Sequence, residues 1–273
     1  MVAVVGYLVA AGVATVVACL VARRDGTVPR DPSVDLGALA GRNLVIIGGL
    51  AGFAVTAMIL IVTIGRNGPD ATSTTYTTLL TMFFVAYVGF IAAGLLFANV
   101  PAPVETATFD VPGAMFAGAA VTQFFTVGVA WFALVPMFQA FGLVRMAELA
   151  TWLLPTSSLA SYGLIATQLH RSGFFSPRLI ALVPTQALAL VAAYALLAAG
   201  LGLRAPESAL AITVAGFVLG VPAFAILSCL PVVVRDERLA RVVGRFGQVL
   251  VVGYAQSAVV LVGFLWLGAA GLA

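Results

Sequence analysis

Residues Arg145–Arg171 read RMAELATWLLPTSSLASYGLIATQLHR. The stretch is apolar enough for a membrane helix, and as a helix it would reach across ~30 Å of hydrocarbon. Yet it carries Glu148, Thr151, Thr156, Ser157, Ser158, Ser161, Tyr162, Thr167 and Gln168, with Pro155 near its middle. Glu148, Thr151, Pro155, Ser158 and Tyr162 follow one another at spacings of three and four. At 3.6 residues per turn they share one helix face. The stretch therefore reads as a kinked helix with a polar seam inside a hydrophobic protein.

The composition around it agrees. The chain has 273 residues, 62% hydrophobic and only 8% charged, with mean hydropathy +1.14. Soluble domains carry roughly a quarter charged residues. A chain this apolar is solvated by lipid, so it reads as one transmembrane domain over residues 1–273, without a sizeable soluble part. Its 13 basic residues are all Arg, as in proteins of GC-rich prokaryotic genomes. The net charge is only +3, so the arginines read as loop residues facing anionic headgroups, and nucleic acid is not an expected partner.

The missing residue types exclude chemistry. Without Lys there is neither a Schiff base nor a P-loop lysine. A single His, His170, cannot supply a bis-histidine haem or an HExxH zinc site. Cys19 and Cys229 are far apart in apolar stretches and give no metal or disulfide spacing. No cofactor and no metal is expected.

Taken in order, the apolar runs place eight transmembrane helices at about 2–22, 43–65, 75–99, 113–141, 146–169, 179–203, 209–234 and 247–267. Arg23 and Arg24 end the first, which has no basic leader region and reads as an uncleaved anchor. The second holds Gly48-x-x-x-Gly52 and the seventh Gly216-x-x-x-Gly220, patterns that permit close helix approach. Pro136, Pro184, Pro222 and Pro231 lie in further helices. The segment PTQALAL at Pro184 echoes PTSSLAS at Pro155 and reads as a local coincidence. In RDERLARVVGRF, Arg238, Arg241 and Arg245 recur at helical spacing, as in a short amphipathic helix on the membrane surface ahead of the last span. Alternate loops hold ten Arg on one side and three on the other, which puts both termini outside. Fusing the fourth and fifth helices would place the two Arg-richest loops on opposite sides.

The candidate site follows from the polar residues within spans. Glu148 is the only acid in any of them, and an intramembrane acid suggests proton or cation coupling unless it pairs with Arg145. Pro155 frees the carbonyl of Thr151, with Thr156, Ser157 and Ser158 at hand to repair it. Gln123, Gln139, Gln168, Gln186 and Gln256 each need partners in hydrocarbon, either as glue between helices or as a polar lining. The expected function is a small transporter, channel or permease component of the cell membrane. Its route would run along helices 4, 5, 6 and 8 and bind through Gln123, Glu148, Thr151, Ser158, Tyr162 and Gln186. An alternative is a membrane enzyme acting on a lipid or prenyl diphosphate at the cytoplasmic face, using Asp31, Asp35, Asp236 and Glu237 with the loop arginines. A third is an anchor subunit of a larger complex or homo-oligomer.

Overall fold

The computed structural model describes residues 2–25, 34–67, 74–100, 111–171, 173, 175–200, 211–216 and 237–269. All regular structure among them is helical. The helices are α1 (Val2–Asp25), α2 (Leu36–Asn67), α3 (Thr74–Ala98), α4 (Val111–Ala140), α5 (Val144–Arg171), α6 (Pro177–Gly200), α7 (211–216) and α8 (Glu237–Ala269). Six of them, α1, α2, α3, α4, α6 and α8, are long and apolar enough to cross a membrane. The chain is a polytopic all-α membrane bundle. α5 falls below that hydropathy because of the polar residues of its seam, although its 28 residues match the others in length.

Helix ends are set by local chemistry. α2 begins at Leu36, not at Asn43, because Asp35 caps it: its Oδ1 accepts the Ala38 N–H at 3.0 Å and its carbonyl the Leu39 N–H at 3.1 Å. α4 and α5 are separate helices, joined by a tight reversal. Gly142 sits there at φ 71°, the Leu143 N–H bonds the Phe138 carbonyl at 2.8 Å and the Gly142 N–H bonds Gln139 at 3.0 Å. This is the Schellman arrangement, in which a left-handed glycine lets two late N–H groups cap the last carbonyls. α5 ends at a second left-handed glycine, Gly173, at φ 81°. His170 closes that turn, its Nδ1–H donating to the Phe175 carbonyl at 2.8 Å.

One expectation is corrected at the C-terminal end. The arginine-rich segment does not form a separate surface helix: α8 runs unbroken for 33 residues from Glu237. Nothing from Glu237 to Ala269 is proline, and single glycines such as Gly244 only weaken a helix. At 1.5 Å per residue α8 is ~50 Å long, more than a bilayer core needs.

Packing organises the bundle around two helices. The apolar windows of α4 and α8 are 78% and 72% buried, against 28% for α1 and α2 and 22% for α6. α4 packs on α3, α5 and α8, while α8 packs on α1, α4 and α6. α2 lies outside α3. The outer faces carry exposed Val9, Val45, Ile59, Leu164 and Leu196, an apolar surface that only lipid would solvate. Where α4 meets α8 the approach is close: a Cβ on Gly128 would come 2.6 Å from Val262 Cγ2. The Gly48-x-x-x-Gly52 pattern does not serve this purpose within the chain. Both glycines are exposed and have nothing within 4 Å, because α2 turns Ala40, Ile47, Ala51, Ala54 and Ile61 inward instead.

Candidate functional site

The polar seam of α5 and the proline of α6 meet. Pro184 has no N–H, so the carbonyl of Ile180 one turn earlier loses its helix partner. The Tyr162 hydroxyl reaches across from α5 and donates to that carbonyl at 2.8 Å. Two neighbouring carbonyls, of Ala181 and Leu182, accept from Thr185 Oγ1 at 2.8 and 3.0 Å. The next, of Val183, accepts from Gln256 Nε2 of α8 at 3.2 Å. A whole turn of α6 carbonyls around Pro184 is thus bonded by side chains drawn from α5, α6 and α8.

Pro155 is handled differently. Ser157 Oγ donates to the Leu154 carbonyl at 3.0 Å and Thr151 Oγ1 to Ala147 at 2.9 Å. No side chain among the described residues donates to the Thr151 carbonyl itself.

The expected site residues therefore separate. Thr151 and Tyr162 are buried, on the face of α5 that also buries Ala147, Leu154, Ala166 and Leu169. Ser158 and Gln123 are half-buried. Tyr162 packs edge-on against Phe124 of α4, the ring centroids 6.2 Å apart. Gln186 is half-buried on α6, and its Oε1 has no hydrogen-bond partner. Glu148 lies at the margin of the seam and is exposed, and no described residue pairs with it. Of the acids in the enzyme alternative, Asp35 is spent on capping α2, Asp31 and Asp236 lie outside the described residues, and Glu237 opens α8. No cluster of three metal-ligating side chains occurs among the described residues.

A second polar centre lies deeper. Tyr7 of α1 and Ser257 of α8 share a hydrogen bond of 2.8 Å, with Tyr7 fully buried. One turn along α8, the Tyr254 hydroxyl stands beside the Thr122 hydroxyl of α4. Thr122 also donates to the Gly118 carbonyl at 2.8 Å, and Thr126 to the Thr122 carbonyl at 2.6 Å. Along α8 between Tyr254 and Ser257, Gln256 is fully buried, and its Oε1 has no partner among the described residues. An amide oxygen in that position lacks a donor, and leaving it unmet costs on the order of 1–3 kcal/mol. The centre thus offers hydroxyls and an unmatched acceptor, without a formal charge, where α8 meets α1, α4 and α6.

Tyr7 and Thr122 were not among the expected site residues. One is a single tyrosine in a featureless apolar run and the other a threonine that could bond its own helix. The readable signal was the triplet Tyr254-x-Gln256-Ser257, which is polar on several sides of one helix and so demands polar partners from several neighbours.

At the bundle's rim, Asp25 ends α1 and joins it to the start of α6. Its Oδ2 accepts from Ser176 Oγ at 2.6 Å and its Oδ1 from Arg178 Nη1 at 2.9 Å. Ser176 meanwhile accepts the Leu179 N–H at 3.2 Å, so the carboxylate sits against the capped N-terminus of α6, where negative charge is favoured.

Searches of family models, curated proteins and solved structures found no match to this chain.

Proposed function

We propose that this chain is a small transporter or permease component of the cell membrane, with its polar route between α4, α5, α6 and α8. The observation that carries the reading is Gln256, fully buried at the centre with an amide oxygen that nothing in the described protein meets. Around it stand Thr122, Tyr254, Ser257 and Tyr7, with Gln186 offering a second unmatched oxygen from α6. Buried acceptors without donors are retained where a ligand or water supplies the donor. The centre is built of neutral hydroxyls and amides, so it suits an uncharged hydrogen-bonding solute better than an anion. Gln123, Thr151, Ser158 and Tyr162 flank the route on α4 and α5, and Glu148 stands at its margin.

The test is stopped-flow light scattering on proteoliposomes challenged with a panel of small neutral solutes: urea, glycerol and erythritol. Faster volume recovery than in empty liposomes, reduced by Gln256→Leu, is the expected result. Recovery no faster than in empty liposomes for every solute would remove this reading. Glu148→Gln tests coupling separately: a proton gradient detected by an interior pH dye should accelerate flux only while the carboxylate is present. Unchanged gradient-driven flux would exclude the acid.

A further inference from the structure

The two central helices carry one sequence pattern. Gly118, Ala120, Thr122, Val127, Gly128 and Trp131 of α4 correspond to Gly253, Ala255, Ser257, Val262, Gly263 and Trp266 of α8. Every pair keeps the same spacing of 135 residues, Gly118 to Gly253, with Thr and Ser as the one conservative exchange. The sequences that follow α1 and α5 match as well. Arg24-x-Gly26-x-x-Pro29-Arg30 follows the first helix, and Arg171-x-Gly173-x-x-x-Pro177-Arg178 the fifth, with one residue more.

Part of the packing repeats along with the sequence. α4 packs on the helix that follows it, α5, and α8 packs on α1, its counterpart in cyclic order. Gly89 of α3 lies directly against Thr126 of α4. Gly216 of α7 lies directly against Leu261 of α8, where an added Cβ would be 2.9 Å from Leu261 Cδ1. Thr126 and Leu261 are themselves a pair at the same spacing of 135 residues. The matched glycines do not repeat their own partners: Gly128 lies against Val262 of α8, whereas Gly263 lies against Val191 of α6. The match is not uniform: α6 packs on α1, while α2 and α5 are not in contact.

We infer that the chain is two copies of one four-helix unit, α1–α4 and α5–α8, and that the route of the proposed function lies on the pseudo-two-fold axis between α4 and α8. The inference rests on that function for the route, though not for the repeat. α4 and α8 run parallel, with Thr122 beside Tyr254 and Gly128 beside Val262, so the axis runs along their length, and repeat interfaces of this kind hold the substrate in transporters. Thr122 and Ser257 are equivalent hydroxyls of the two copies, Thr122 turned toward Tyr254 of α8 and Ser257 bonded to Tyr7 of α1. The copies differ where chemistry is needed, because Gln256 and Tyr254 answer to Val121 and Ala119. Asp25 of the first copy, held by Ser176 and Arg178 of the second, ties the two at one rim.

The test uses the full-length chain with Cys19→Ala and Cys229→Ala, carrying Thr122→Cys, Ser257→Cys or, as an off-axis control, Ala86→Cys in fully buried surroundings on α3. The probe is a charged, membrane-impermeant methanethiosulfonate applied to right-side-out and inside-out vesicles. Both axis positions should be modified from at least one side, at least about tenfold faster than Ala86→Cys. A lock is available: a Cβ on Gly128 would stand 3.8 Å from Val262 Cβ, the separation of a disulfide. Oxidising Gly128→Cys with Val262→Cys should abolish modification at both axis positions. Reaction at only one of them overturns the shared axis while leaving a route and the proposed function standing. Reaction at neither, above the control, overturns both. Reaction at both that persists in the oxidised lock refutes opening along α4–α8. If either variant does not elute as folded protein, the equivalent pair Val121→Cys and Gln256→Cys takes its place.

Discussion

Tyr162→Phe removes a single oxygen, yet it should be costly for a reason that lies on another helix. Pro184 leaves the Ile180 carbonyl without its helical N–H, and the Tyr162 hydroxyl at 2.8 Å is the donor that replaces it. The phenylalanine ring can keep the apolar packing on Phe124, so the change isolates the hydrogen bond. Interhelical bonds in membrane proteins average ~0.6 kcal/mol and reach ~1.7. An orphaned buried acceptor costs about 1–3 kcal/mol. The expected loss is therefore about 1–2 kcal/mol. The decisive comparison is a double-mutant cycle with Pro184→Ala, which restores an N–H to the backbone at the position where Ile180 needs it. In that background Tyr162→Phe should cost little, and the coupling energy should equal most of the single-mutant effect. Reversible unfolding in SDS, followed by tryptophan fluorescence, supplies the four free energies. Strict additivity would show that Tyr162 does not act by repairing the proline break in α6.

Three further outcomes follow from the same packing. Gly128→Leu drives a side chain into Val262 and should destabilise by about 1–3 kcal/mol, whereas Gly48→Leu, with open space around it, should stay within ~0.5 kcal/mol in the same unfolding assay. Ser257→Ala should cost about 1–3 kcal/mol by orphaning the buried Tyr7 hydroxyl, and adding Tyr7→Phe should not add a second full penalty; a simple sum of the two would deny their bond. Asp25→Asn should loosen the start of α6, seen as faster hydrogen exchange at the amides of residues 177–180, and unchanged exchange would show that Ser176 caps the helix unaided.

Much of the architecture was legible because a bilayer leaves few choices. With no water in the hydrocarbon, the backbone must satisfy itself, so long apolar runs become helices and the charges mark their ends. The split between α4 and α5 was readable from arginine placement and is realised by Gly142. Boundaries failed where polar residues lie inside helices. Arg42 sits within α2 because Asp35 caps it earlier, and the arginines after Glu237 continue straight into α8. Composition cannot separate a charged helical turn from a loop.

The placement of polar groups was not legible. From the spacing of α5 alone, Glu148 and Tyr162 share one face, and nothing local distinguishes them. Only the position of α4 and α6 around that helix leaves the first exposed and sends the second to Ile180. In the same way Tyr7 and Ser257 are 250 residues apart in the chain, and only the lateral packing of α1 on α8 brings their hydroxyls together. The sequence by itself determined that this protein is a helical membrane bundle, because hydrophobicity and helical period are local properties. The tertiary structure decided which polar groups meet at the centre, because each helix can rotate about its axis at little cost until its neighbours fix the face it presents.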